Sequence, residues 1–122
     1  MKPPKRPNVI EIGPFKVHLK LVSHDLAYEV GEQQGSFHAK PPITIVLDEN
    51  IMLLENENTF NLLVHELFHC CYYQYNLEKA NEEENVVNAY ANFVTELFTR
   101  SNAKDYLVYL TRDKLNWSLN IF

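Results

Sequence analysis

The chain changes rhythm near its middle. Over roughly the first fifty residues apolar positions alternate with polar ones; from Thr59 onward they recur every third or fourth residue. "VIEI" (9–12) and "FKVHLKLV" (15–22) flank Gly13-Pro14. In the second of these Phe15, Val17, Leu19 and Leu21 share one face, and Lys16, His18 and Lys20 the other. The pattern predicts two strands with one solvated face. "HDLAYEVGEQQG" has no decisive period, and Gly31 and Gly35 mark turns in or after it. "SFHAK" reads as a short strand, Pro41-Pro42 as a break, and "ITIVLD" (43–48) as a further strand. Residues 43–47 are almost wholly apolar, which predicts cover on both faces. Asp48-Glu49-Asn50 closes that strand.

In the second half Asn58 or Thr59 is placed to cap a helix running to about Tyr75, with Asn76 as its stop. Asn81 is placed to cap a second helix, through about Arg100. Its opening "EEE" suits the positive end of the helix dipole. "AKDYLVYLTRDKL" is a third helical piece, and "NWSLNIF" carries no assignable pattern. Strands precede helices, so the fold class expected is α+β: a small antiparallel or mixed N-terminal sheet packed on two to three C-terminal helices. A length of 122 residues supports one domain over 1–122, and Pro3, Pro4 and Pro7 make residues 1–8 an extended, flexible lead-in.

Composition narrows the partners. A hydrophobic content of 46% supports a packed core, and a net charge of -5 without a basic stripe argues against nucleic acid. The basic N-terminus is not followed by an apolar run, and eighteen consecutive apolar residues occur nowhere. Neither a secretory leader nor a membrane span is expected, which makes the cytoplasm the expected location. Cys70 and Cys71 are adjacent and have no third cysteine to pair with, so they are expected to be small buried apolar side chains.

The candidate chemistry lies in "NLLVHELFHCCYY", where His65, Glu66 and His69 interrupt an apolar run. Residues four apart share a helical face, so both imidazoles can reach one Zn2+, and the intervening Glu66 can accept a proton from water activated there. Zinc needs a third protein ligand, and no histidine follows His69. The carboxylates Glu82, Glu83 and Glu84 on the next helix are favoured over upstream His18, His24 and His38. On a helical wheel, Val86, Val87, Tyr90, Phe93, Val94 and Leu97 form an apolar face with Glu83 near its middle. Glu84 lies at the flank of that face, where a water-open site would want it. Periodicity therefore leaves Glu83 and Glu84 both in play.

"HELFH" followed by "ENVVNAYANFVTELF" resembles the gluzincin class of zinc peptidases, whose third ligand is a glutamate on a later helix. Within that class, Glu84, Val87, Asn88, Tyr90 and Ala91 are similar in spacing to the motif of ImmA/IrrE-type peptidases. The resemblance implies Glu84 as third ligand, with Glu83 as the alternative, and Asn88 as the residue that orients His65 from behind. The order "IVLDENI", "LLVHELFH", "EEENVV", "LFTRSN" also resembles small phage-encoded metallopeptidase-like proteins, over roughly residues 43–110. That likeness implies a minimal zincin-like fold, a phage or prophage origin and a peptide or protein substrate. It further implies an edge strand for extended peptide, for which Ile43, Thr44, Ile45 and Val46 are the candidates. The "RSN" turn lacks the proline usual in the phage proteins, and the "LLMP" ending of the ImmA type is missing. The competing expectation is a zinc-binding structural or protein-interaction module of the same fold with little or no peptidase activity.

Overall fold

A computed structural model describes residues 2–25, 34–79 and 82–112. The alternating segments form β1 (Val9–Ile12) and β2 (Phe15–Val22), joined through Gly13 at φ +57°, a left-handed conformation that glycine adopts without steric cost. β3 (Gly35–His38) and β4 (Thr44–Asp48) complete a four-stranded sheet in the order β1-β2-β4-β3. β2 and β4 run parallel, while β1 and β3 pair antiparallel at the two edges, so the sheet is mixed. Residues 2–8 lie outside any helix or strand, with Pro4, Arg6 and Pro7 partly buried.

β4 is interior to the sheet and has a ladder on each side. This corrects the expectation that Ile43–Val46 is an edge: the backbone of Thr44–Asp48 is already paired with β2 and β3. The apolar run of β4 is covered on both faces, as expected. Ile45 and Leu47 point into the main core, while Val46 meets Val22 in a separate buried cluster.

Asp48 is buried at the end of β4 and does not merely close the strand. Its carboxylate accepts the Asn50 N–H at 2.8 Å and caps a short helix, α1 (Glu49–Leu54). Leu53 and Leu54 stay exposed, so α1 has no amphipathic stripe to announce it. Glu55, at φ 47°, ends α1, and Asn56 starts α2 (Glu57–Gln74). The cap therefore falls two or three residues before the expected Asn58 or Thr59. Asn56 accepts from the N–H groups of Asn58 and Thr59, and the Thr59 hydroxyl accepts the Asn56 N–H at 3.2 Å, a reciprocal capping box. The Thr59 hydroxyl also donates to the Ile51 carbonyl at 2.7 Å and ties the two helices together.

α2 stops at the expected place, where Asn76 takes φ 54°. A 3-10 turn (Leu77–Lys79) follows, then α3 (Glu83–Thr99) and α4 (Lys104–Leu110). The proposed Asn81 cap, the tail from 113 and most of the ambiguous segment after His24 lie outside the described residues. The layer of helices covers one face of the sheet: α2 packs on β3 and β4, and α3 on β1. Ile10, Val17, Ile45 and Leu47 from the sheet meet Leu63, Leu67, Cys70 and Cys71 of α2, Phe93 and Leu97 of α3, and Leu107 and Leu110 of α4. The architecture is α+β. Among the described residues no helix is long and apolar enough to cross a membrane.

Candidate metal centre

Mid-way along α2 the apolar stripe Leu63–Leu67–Cys70–Cys71 faces the core, which turns His65 and His69 outward. The side chain of His65 is 57% exposed. Both rings present Nε2 to each other at 3.3 Å, with planes 75° apart and centroids at 4.9 Å. Two nitrogens each about 2.0–2.1 Å from one tetrahedral ion stand about 3.3–3.4 Å apart, so the observed separation matches the bite of a zinc ion, as it also matches a hydrogen bond between the two rings. The rings fit the metal in both distance and donor chemistry.

Glu66 sits between them in sequence but is only 1% exposed. Its Oε2 is 3.9 Å from His65 Nε2, and neither carboxyl oxygen has a hydrogen-bond partner among the described residues. A buried, unpartnered carboxyl is costly. Burial raises its pKa above 4.5, opposed by the nearby imidazoles of His69, His65 and His38. The carboxyl lies against Gly35 at the start of β3: a Cβ added there would stand 3.1 Å from Glu66 Oε2 and 3.2 Å from Glu66 Cγ.

Phe68, Tyr72 and Tyr90 join the two histidines around an open, largely apolar pocket of about 320 Å³. The Phe68 and Tyr90 rings are 5.1 Å apart, which ties α3 to the site. Tyr90 was legible as part of the apolar face of α3 and of the ImmA/IrrE-like spacing, and Gly35 only as a turn marker. Their places beside the histidines depend on tertiary packing.

The carboxylates of α3 stand differently. Glu83 and Glu84 are both exposed in its first turn, and no third His, Cys, Asp or Glu joins His65 and His69 in a metal-binding group among the described residues. Glu83 lies seven residues before Tyr90, hence on the same stripe; Glu84 lies about 100° further round. Asn88 lines a separate pocket with Tyr75, Asn76 and Leu77 and is not brought to His65. The stripe of α3 that packs is Ala89–Phe93–Leu97, and Val87 is 52% exposed, so the buried face is rotated away from the wheel's expected centre. Of the upstream histidines, His18 is exposed on β2 and His24 Nδ1 donates to Asp48 Oδ2 at 2.5 Å, while His38 lies on β3 near enough to act on the Glu66 carboxyl, and its Nε2 shares a hydrogen bond with Ser36 Oγ at 2.9 Å.

Cys70 and Cys71 are both fully buried and unbridged, and burial pushes their thiols up to about 12 and about 11. They behave as core side chains and not as thiolate ligands. No family model, curated protein or solved structure matches the chain, so the site is argued from its own geometry.

Proposed function

We propose that the protein is a zinc-dependent peptidase of minimal zincin-like type, with His65 and His69 as metal ligands and Glu66 as general base. The observation that carries this reading is the 3.3 Å Nε2–Nε2 separation beside a buried, unpartnered carboxyl. A zinc ion held there would supply Lewis acidity toward water and toward a peptide carbonyl. Glu66 takes the proton from the attacking water and passes it to the leaving amine; its raised pKa brings it nearer the range where a carboxyl both accepts and returns a proton.

The substrate strand is assigned to β3. Asp48 N–H donates to the Gln34 carbonyl at 2.7 Å, and the register pairs Ser36 with Val46 and His38 with Thr44. Hydrogen-bonded pairs alternate in an antiparallel ladder, so the backbone groups of Gly35 and Phe37 turn to the side of β3 that pairs with no other strand among the described residues. An extended peptide added there would run past Glu66, which lies against Gly35.

The third ligand is assigned to the first turn of α3. The resemblance favours Glu84 and the stripe of Tyr90 favours Glu83. Zinc affinities of Glu83→Gln and Glu84→Gln decide between them: about tenfold or greater loss in one identifies the ligand, and no loss in either contradicts the assignment. A purely structural zinc site is the weaker reading. Such sites are closed by four protein ligands, whereas His65 is open to solvent and the adjacent thiols face the core. Zinc-loaded protein is expected to cleave peptides from a random library, and a chelator to stop it; zinc-loaded wild type that cleaves none contradicts the reading.

A further inference from the structure

We infer that Gly35 is the positioning residue for Glu66: the bare backbone at this point of β3 seats the buried carboxyl beside His65, and any side chain there displaces it. The inference rests on the reading of Glu66 as the base. The strand cannot retreat, because Gly35 is opposite the fully buried Leu47, and the preceding residue, Gln34, accepts the Asp48 N–H at 2.7 Å. The helix cannot retreat either, because Leu63 and Leu67 are locked into the core with no exposed surface.

Between these two fixed walls, a Cβ at position 35 would lie 2.9 Å from Leu62 Cδ1, 3.1 Å from Glu66 Oε2 and 3.2 Å from Glu66 Cγ. The Leu62 methyl is the far end of a side chain and can rotate. Glu66 is crowded at Cγ as well as at its carboxylate, so its side chain must shift by a few tenths of an ångström. Gly35 does not adopt a left-handed φ, so backbone shape does not require glycine here. Glycine also weakens a strand. The requirement that remains is space for the side chains of Glu66 and Leu62.

Gly35→Ala, Glu66→Ala and the double variant test this through kinetics and thermal melting. At equal zinc content Gly35→Ala is expected to lower kcat by about tenfold or more with KM within about twofold, as misplacement of a catalytic group does. It is expected to lower Tm in the wild-type background and to lower it less in the Glu66→Ala background, because the obstructed group is then gone. Wild-type kcat in an active enzyme, or equal Tm shifts in both backgrounds, overturns the inference. A wild type that cleaves nothing defeats the peptidase reading alone. The melting cycle then decides the role of Gly35: unequal shifts sustain it and equal shifts overturn it.

Discussion

Glu66 carries a desolvation cost in the metal-free form, since its carboxyl is buried and both oxygens lack hydrogen-bond partners among the described residues. Its folded-state pKa lies above 4.5 because burial disfavours the charged form. With the folded pKa raised, the group's contribution is fully present below the unfolded value and is lost as pH rises through the folded one. Metal-free Glu66→Gln, which carries no charge to bury, is therefore expected to melt above wild type at pH 7, and the gap to close below about pH 4.5. Melting curves of the two metal-free proteins across this range check it; a gap that does not change with pH contradicts it. His65 and His69 were legible as a pair from their spacing alone, because residues four apart share a helical face. That Glu66 faces the sheet was not legible, because this depends on which strand crosses α2.

Individual elements were legible where one face is wet. β1 and β2 alternate cleanly and sit where the pattern put them, and α2 ends at Asn76 as expected. α1 was missed because its only fully buried side chain is Met52, leaving no period to read. The edge strand was misassigned because strand order is a non-local property: β4 looks like any buried apolar strand, and its place between β2 and β3 follows from pairings distant in sequence. The order makes a prediction for β3. Without peptide, the amides of Gly35 and Phe37 are expected to exchange with solvent faster than those of Ser36 and His38, which donate to β4. A bound, non-cleavable peptide is expected to slow Gly35 and Phe37 selectively. Hydrogen exchange read by NMR checks this, and protection that does not alternate along β3 contradicts the peptide-binding edge.

At the scale of the whole molecule the sheet and α2 form one packed body, with the histidines on its outer surface and Glu66 inside it. A metal that binds only the folded chain raises its stability by about 2.7 kcal/mol at a hundredfold excess over Kd. Zinc is thus expected to raise the Tm of wild type and to leave that of a His65→Ala/His69→Ala variant unchanged. Both rings are exposed, so their loss should cost the metal-free fold little. Calorimetric melting with and without zinc reads this, and an equal shift in both proteins contradicts the ligand assignment. The central claim is that zinc at His65 and His69, with Glu66 as base, hydrolyses peptide bonds. Its most direct test compares peptide cleavage by wild type and Glu66→Gln at equal, measured zinc content. Cleavage by wild type that falls by about 10²–10⁴-fold in Glu66→Gln, with zinc retained, is the predicted result. Equal rates in the two proteins, or no cleavage by zinc-loaded wild type, would contradict it.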